Sequence, residues 1–407
     1  MSDGILHAIT KRSLLGLMGA SAVALTSQAA WAQEKKVVKI GAPLALTGGL
    51  AEEGHKQQVA YDLWLQRIKA AGGIDIGGEK YDVELITYDY QTDGNRAQQL
   101  AETLITSDKV DFMLAPFGSG HTKIVAGVAE RYGVPIIAVA SSEPVHDQGY
   151  TNLFGTLSPS LGLISSMMTQ FKEVKSDLKT VAIVGRDDVF PKAMAESMGR
   201  EAPAAGIEVV YQSLYPVGSL DHSSEITSIK AANPDWIYVT GYTQDLVLFR
   251  QQMADLGVTA PIITMITGPA YKEFIDNLGE LANGVTSATW WHYSVNYEGD
   301  DVFGSSKNFY DAVVAATGQE PDYVYASSAA ALVVLQKALE AAGSTDRDAV
   351  RAALKAMDIQ TFFGPIKFRE DGMNSPRDLP VIQVQDGKIV VVNPPEIRTA
   401  DMVLIAP

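Results

Sequence analysis

The chain has 407 residues, of which 46% are hydrophobic and 20% are charged, a composition typical of a soluble globular protein long enough for two domains. It contains no cysteine, which excludes a disulfide scaffold, a thiolate metal site, a cysteine nucleophile and a lipid-modified N-terminal cysteine. The formal net charge of −16 argues against nucleic acid and anionic membrane surfaces as partners, because both are bound by clustered basic residues.

The first 32 residues have the features of an export signal. Lys11 and Arg12 precede an apolar run over residues 14–25, and residues 30–32 (AWA) match the small-x-small pattern before a cleavage site. This run is shorter than the roughly 20 residues of a membrane-spanning helix. We therefore predict cleavage near Ala32 and an exported protein without a lipid anchor. The basic segment fits both an ordinary secretory signal and a variant of the twin-arginine signal.

From residue 37 onward, short β-branched or aromatic runs alternate with longer segments of helical periodicity. This alternation predicts an α/β protein with parallel sheets covered by helices. About 375 residues follow the signal, more than one hydrophobic core usually serves, so we predict two doubly wound lobes. The predicted strands are Val37–Ala42, Tyr81–Tyr88, Val110–Ala115, Pro135–Ala140, Thr180–Gly185, Ile207–Tyr211, Asp235–Thr240, Pro261–Met265 and Val285–Thr289. The later predicted helices are Ser305–Thr317, Ser327–Ala342 and Asp346–Met357.

Two loops at the carboxyl ends of predicted strands carry the candidate ligand-binding groups. Residues 116–122 (PFGSGHT) follow one strand, and residues 141–144 (SSEP) follow the next. Glycine lets a ligand approach the backbone, while free N–H groups, a helix dipole and hydroxyl groups suit an anion. Two such loops side by side could hold one carboxylate, although each alone is also consistent with ordinary helix capping.

Other functional patterns are incomplete in this sequence. Gly118-Ser119-Gly120 begins a dinucleotide fingerprint, but Lys123 stands where the third glycine belongs. The histidines show no metal-ligand spacing, and no Gly-x-Ser-x-Gly motif marks a serine hydrolase. We therefore predict neither a metal, a cofactor nor an enzymatic activity. The pair Trp290-Trp291 fits either a cleft wall or packing at a domain crossing.

Several short stretches, taken in their order and spacing, resemble a known family. The stretches are Ile40–Leu44, Thr47-Gly48, Ala71–Ile74, Tyr88-Asp89 with Asp93 and Ala97, Gly133–Ile137, Val181–Val184, Asp235–Tyr238 and Gly364–Ile366. The resemblance is to periplasmic solute-binding proteins of ABC transporters, specifically the leucine/isoleucine/valine-binding family with its type I fold, whose members are freely diffusing in the periplasm when they carry no lipid anchor. It implies two lobes joined by three hinge strands, lobe I being residues 37–157 plus 290–364 and lobe II residues 158–289 plus 365–407.

The resemblance also implies a function and a first set of site residues. A ligand binds lobe I, is enclosed as lobe II closes, and is delivered to an ABC permease in the inner membrane. We expect a monomer. Ser119 and Ser142 are the expected carboxylate anchors, through hydroxyl and backbone N–H groups. The Ala140 carbonyl and the Ser141 backbone are expected at the ligand's amino group.

Lobe II is expected to contribute the rings of Phe190 and Tyr242, and Glu53 falls where the family often has an aromatic residue. Family members that bind amino acids place an acid after the strand Pro261–Met265, and this chain has none there. Either Glu53 substitutes for that acid or the ligand has no ammonium group. Ser328 replaces a common tyrosine and is expected to leave more room.

The ligand and the partner therefore stay open at this stage. A small amino acid of the branched-chain type or a related carboxylate is the first candidate. An aromatic or aliphatic carboxylate, an amide or urea is the alternative. The same two-lobe module can also serve as a sensor for a receptor instead of a permease.

Overall fold

The computed structural model describes residues 36–406, so the predicted export signal lies outside the described residues. None of the helices between residues 36 and 406 is long and apolar enough to cross a membrane. Strands in this range form two main sheets and a separate hairpin. In chain order they are β1 (Val37–Leu44), β2 (Ile74–Ile76), β3 (Glu79–Asp89), β4 (Phe112–Leu114), β5 (Ile136–Ala138), β6 (Leu153–Gly155), β7 (Thr180–Arg186), β8 (Glu208–Tyr215), β9 (Trp236–Thr240), β10 (Ile262–Ile266), β11 (Thr286–Ala288), β12 (Asp358–Thr361), β13 (Gly364–Lys367), β14 (Val381–Gln385) and β15 (Lys388–Asn393).

The first sheet has the strand order β2-β3-β1-β4-β5-β6. β1 pairs in parallel with β3, with Val37 opposite Asp82 and Leu44 opposite Asp89. β4, β5 and β6 extend the parallel arrangement. Every residue of β4 and β5 is buried. Helices cover both faces of a parallel sheet, so side chains on both sides of its central strands are buried. These strands therefore appear in the sequence as continuous apolar runs.

The second sheet has the order β15-β14-β11-β10-β9-β7-β8, and β7 to β11 are parallel. The predicted α/β fold with doubly wound parallel sheets is confirmed, and the edges add antiparallel strands, because β2, β14 and β15 are antiparallel to their neighbours. Two of these edges are tight hairpins, with turns at Gly77-Gly78 and Asp386-Gly387. All four turn residues have positive φ. Such two-residue turns need no crossover helix, so the chain can reverse directly.

Alternate residues along the strands of the second sheet face two separate cores. Ile183 and Tyr238 pack into the large core that also fills the first sheet, whereas Val184 and Val239 pack into a smaller core on the other face. This is the period of two expected for extended chain. The covering helices are α1 (Ala51–Ala70), α2 (Gly94–Thr106), α3 (Ser119–Arg131), α4 (Glu143–His146), α5 (Leu161–Val174), α6 (Val189–Ala204), α7 (Ser223–Ala232), α8 (Thr243–Asp255), α9 (Lys272–Leu278), α10 (Ser306–Thr317), α11 (Tyr323–Ala342) and α12 (Arg347–Lys355).

Helix α11 begins one turn earlier than its periodicity predicts. Asp322 is its N-cap, and the Asp322 carboxylate accepts a hydrogen bond of 2.8 Å from the Val324 N–H. The first fourteen residues of the helix, 323–336, are all buried, so it is apolar all round and forms the central helix packed on α1. The early start places Tyr323 at the first helical position, facing the region between the two sheets.

The chain crosses between the sheets at residues 156–160, 289–292 and 375–380. Hereafter lobe I denotes the first sheet with α1–α4 and α10–α12, and lobe II denotes the second sheet with α5–α9. The predicted boundary between residues 364 and 365 falls inside the β12–β13 hairpin, where Thr361 pairs with Gly364. Met373 still bridges to Gly155 of the first sheet. The chain joins the second sheet only at Val381, and the exact lobe limits stay a prediction.

Candidate functional site

The loop between β4 and α3 is held in place by its own backbone and by α1. Gly118, the N-cap of α3, has a φ of 87°, which favours glycine. The Thr122 hydroxyl donates to the Pro116 carbonyl at 2.9 Å, and the Phe117 N–H donates to the Gln57 side chain at 3.0 Å. Ser119 is therefore the first residue of α3, where N–H groups lack an intrahelical partner and the dipole is positive.

The loop between β5 and α4 carries the second group of predicted residues. Ala140, Ser141 and Ser142 are all buried. The Ser141 carbonyl accepts a hydrogen bond of 3.1 Å from the Ser160 N–H, at the first crossing between the lobes. The Ser142 hydroxyl is buried and has no hydrogen-bond partner among the described residues. The segment that leads into lobe II therefore also fixes this loop.

Lobe II places two rings opposite these loops. Tyr242 is the N-cap of α8, and Phe190 lies in the first turn of α6. Arg186 bonds the Asp245 carboxylate at 2.7 Å, lies 3.5 Å from Asp188, and its guanidinium is 5.1 Å from the centre of the Tyr242 ring. This ion network holds the tyrosine ring in one orientation. The Tyr242 ring also contacts lobe I, with its centre 6.1 Å from that of Phe117.

Between these elements lies a small cavity of about 270 Å³, a volume that includes the space open to solvent at its mouth. Five predicted residues line it: Ser119, Ala140, Ser141, Phe190 and Tyr242. No charged side chain lines it, and five of its eleven lining residues are aromatic. The remaining lining residues are Phe117, Gly118, Val139, Leu157, Trp290 and Tyr323.

Three of the aromatic lining residues were not among the predicted site residues. The Trp290 indole N–H donates to the Ser158 carbonyl at 2.9 Å, and its ring centre lies 4.9 Å from that of Tyr323. Trp290 is therefore both a cleft wall and part of a hinge crossing, which combines the two predicted alternatives. The sequence could have indicated Phe117, because it lies in the loop that follows a predicted strand. Nothing in the sequence indicated Tyr323, because its place in the cavity depends on where α11 begins.

Two predicted residues do not line the cavity. Ser142 lies behind the loop, and Glu53 lies on α1. Burial raises the pKa of the Glu53 carboxyl to about 7, although the nearby charge of Lys56 acts in the opposite direction. The charge of Glu53 in turn raises the pKa of both cavity tyrosines, Tyr242 and Tyr323, to a smaller degree than their burial does. Glu53 is thus close enough to act electrostatically on the cavity.

The acid that the family places after β10 is absent, as the sequence indicates. The segment after this strand turns at Thr267, which has a φ of 76°, and enters a short helical turn at Gly268–Ala270. Ser328 does not line the cavity, so its expected effect on the space for ligand is not observed. The ring that α11 contributes is Tyr323, about one turn earlier.

A larger groove of about 1960 Å³ lies outside the cavity and shares Tyr242 with it. Its walls come from α3 in lobe I and from the loops after β7, β8 and β9 in lobe II. Unlike the cavity, it is lined by charged side chains, including Lys123, Arg131 and Asp188. Residues of both predicted loops line the smaller cavity, whereas Ala140 and Ser141 do not line the groove. Between residues 36 and 406, no group of histidine and acidic side chains is arranged to hold a metal ion.

The comparison with protein families gives one match, to the family described as periplasmic binding protein, over residues 37–388. The chain belongs to this family. It is therefore a solute-binding protein and not an enzyme, and the resemblance seen in the sequence is confirmed. A curated relative, Leu/Ile/Val-binding protein homolog 8 from Brucella suis, is 28% identical over 404 residues, covering 95% of this chain and 98% of the relative.

Solved structures agree with this assignment. The leucine-binding protein LivK from Thermotoga maritima has a TM-score of 0.77 at 25% identity, covering 87% of this chain and 97% of its own. The fold is also that of LivJ from Streptococcus pneumoniae, a branched-chain amino acid transporter substrate-binding protein solved with isoleucine. That structure has a TM-score of 0.77 at 24% identity and covers 88% of this chain and 100% of its own.

Proposed function

We propose that this protein is the periplasmic substrate-binding component of an ABC uptake transporter and that its ligand is a small amino acid of the branched-chain type. The observation that carries the proposal is the cavity between the lobes. One end presents the start of α3 with Ala140 and Ser141, and the remaining lining residues are aromatic or aliphatic. A molecule with one polar end and one apolar side chain matches such a cavity.

The polar end of the ligand is proposed to lie against the two loops of lobe I. A carboxylate at Ser119 accepts hydrogen bonds from the serine hydroxyl and from N–H groups of the first turn of α3. The Ala140 carbonyl and the Ser141 backbone are available to an amino group. An aliphatic side chain then packs against Phe190, Trp290 and Tyr323, which contribute large apolar surfaces at little loss of conformational freedom.

The charges around the cavity favour a zwitterionic ligand over a carboxylate that has no ammonium group. The cavity wall itself is uncharged, but the clusters behind it carry more carboxylates than basic groups. In lobe II, Arg186 is paired with two carboxylates, Asp188 and Asp245. On the other side stands a cluster of three carboxylates and one ammonium. Its members are Glu53, Lys56, Glu273 and Asp322.

This excess of negative charge opposes a bare carboxylate and favours a ligand that also carries an ammonium. Glu53 does not line the cavity, so we propose that its charge, rather than a direct contact, stabilises that ammonium in place of the acid missing after β10. An ammonium in the cavity in turn lowers the pKa of this carboxyl and favours its ionised form. An unpaired ammonium in a closed cavity would instead cost several kcal/mol.

A matched pair of ligands tests this proposal. L-leucine and 4-methylpentanoate differ only in the ammonium group, and each is titrated calorimetrically into the mature protein, alongside isoleucine, valine, aromatic acids, amides and urea. We expect leucine or a close analogue to bind and to stabilise the protein by about 2.7 kcal/mol at 100 times its Kd. Glu53→Gln should weaken amino-acid binding and should not weaken the binding of 4-methylpentanoate. Tighter binding of the acid than of leucine would contradict the amino-acid assignment, and an amide or urea response would replace it.

Export and transport are part of the same proposal. We propose cleavage near Ala32, a freely diffusing periplasmic monomer and docking on an inner-membrane permease. Mass spectrometry of the periplasmic fraction gives the mature N-terminus, and uptake of labelled ligand by a deletion strain, with and without the restored gene, tests transport. Unchanged uptake together with a lost transcriptional response to the ligand would favour the sensor alternative.

A further inference from the structure

A buried ion cluster joins the two lobes beside the cavity. The Lys56 ammonium on α1 lies 2.7 Å from the Asp322 carboxylate, the N-cap of α11, and 2.8 Å from the Glu273 carboxylate on α9. Lys56 and Asp322 belong to lobe I, whereas Glu273 belongs to lobe II. The Lys56 side chain is 6% exposed and that of Asp322 8%, while Glu273 is 24% exposed. One ammonium thus bridges carboxylates from both lobes.

A pair of tyrosines crosses the same interface. The Tyr271 hydroxyl donates to the Tyr323 hydroxyl at 2.7 Å, and the two rings are stacked with centres 5.7 Å apart. Tyr271 precedes α9 in lobe II, and Tyr323 opens α11 in lobe I. The Lys56 ammonium also lies 4.5 Å from the centre of the Tyr271 ring, a cation–π distance. The ion cluster and the tyrosine pair therefore form one continuous contact.

Separation of the lobes divides this contact in a defined way. Lys56 and Asp322 stay together because both lie in lobe I. Glu273 and Tyr271 move away with lobe II and lose their partners. Charge-assisted hydrogen bonds with little exposure are stronger than surface ion pairs, so the bond between Lys56 and Glu273 favours the joined lobes. The contact thus resists opening without requiring any group of the ligand.

We propose that Lys56, Glu273, Asp322, Tyr271 and Tyr323 form an interlobe latch that stabilises the closed form independently of the ligand and slows ligand release. The stabilisation of the closed form concerns the two lobes alone, whereas the slower release of ligand rests on the proposed function. Tyr323 links the latch to the cavity, because it is both a cavity wall and a latch residue. A ligand that packs on Tyr323 therefore also supports the ring to which Tyr271 is bonded.

The test measures closure with no ligand present. Since the chain has no cysteine, Ile124→Cys and Leu220→Cys give two unique labelling sites for single-molecule energy transfer. Both residues are exposed and line the outer groove from opposite lobes. In this background, Glu273→Gln removes the charge and keeps the shape, and Tyr271→Phe removes the hydroxyl and keeps the ring. Asp276→Asn is the matched control on α9, because Asp276 pairs only with the exposed Lys272 of its own helix among the described ion pairs.

Glu273→Gln should lower the ratio of closed to open molecules about tenfold, and Tyr271→Phe about threefold. Asp276→Asn should leave the ratio unchanged, and the melting temperatures identify any variant that fails to fold. An unchanged ratio in Glu273→Gln overturns the latch, as does a wild-type protein without a closed population or an equal effect of the control. With L-leucine as probe, Glu273→Gln should also raise the dissociation rate about tenfold. If leucine does not shift the wild-type distribution, the proposed ligand is wrong, while the ligand-free comparison still decides the latch.

Discussion

Replacement of Glu53 by glutamine should remove a pH dependence that this buried carboxyl imposes on stability. Burial raises its pKa from 4.5 to about 7, against the opposing charge of Lys56. Between these two values the native protein holds a proton that the unfolded chain has released. The stabilising contribution is therefore complete below pH 4.5 and is lost as the pH rises to 7. A pKa difference of about 2.5 corresponds to about 3 kcal/mol.

Glutamine keeps the size of the side chain and is neutral at every pH. The free energy of unfolding of Glu53→Gln, minus that of the wild type, should therefore grow by about 3 kcal/mol between pH 4.5 and 8. Urea unfolding of both proteins at four pH values measures this difference, and other titrating groups cancel in it. Glu52→Gln, an exposed neighbour on the same helix, should give a smaller change. A difference that does not vary with pH, or that falls as the pH rises, would refute the reasoning.

Four further predictions address the site and the hinge. Binding of a zwitterionic ligand should tighten as Glu53 ionises between pH 6 and 8 and should not change with pH in Glu53→Gln, as calorimetry can measure. Ser119→Ala should weaken ligand binding by about 1–3 kcal/mol, whereas Ser142→Ala, which removes a buried hydroxyl without a partner, should leave the urea midpoint unchanged or raise it. Ligand should alter the tryptophan fluorescence, and Trp290→Phe should abolish that response, since Trp290 lines the cavity. Burial lowers the pKa of His292 to about 4, so its contribution of about 3 kcal/mol should be lost as the pH falls from 6.5 to 4, and His292→Gln should lack this loss in acid unfolding experiments.

The nine strands predicted from the sequence are all present, and their ends differ from the prediction by a few residues. They could be recognised because each is a buried β-branched or aromatic run bounded by turns. Six strands, β2, β6 and β12 to β15, were not among those predicted. β2, β6, β12 and β13 have only three or four residues each, and glycine or proline lies in or beside β2 and β13. Their pairing depends on partners elsewhere in the chain, which local composition does not reveal.

For the site, the loops after β4 and β5 were recognisable because a parallel sheet brings the carboxyl ends of its strands to one edge. Ser119 and Ser141 were predicted in this way, Ala140 was added by the resemblance to the family, and all three line the cavity. Tyr323 and Trp290 come from the later part of the chain and reach the cavity only through the packing of α11 and the second crossing. The latch has the same origin, since Lys56 meets Glu273 only when the two lobes are together.

The sequence by itself determined the alternation of strands and helices, the family and the polar groups of the loops after β4 and β5. The elements and loops depend on residues close together in the chain, whose apolar spacing and capping groups act locally, and the family could be recognised from the order and spacing of such short stretches. Only the tertiary structure decided which rings line the cavity, that Glu53 is buried without lining it and that one lysine joins the lobes. These contacts link distant segments, and burial and charge at such contacts depend on how two lobes pack, which no local pattern specifies.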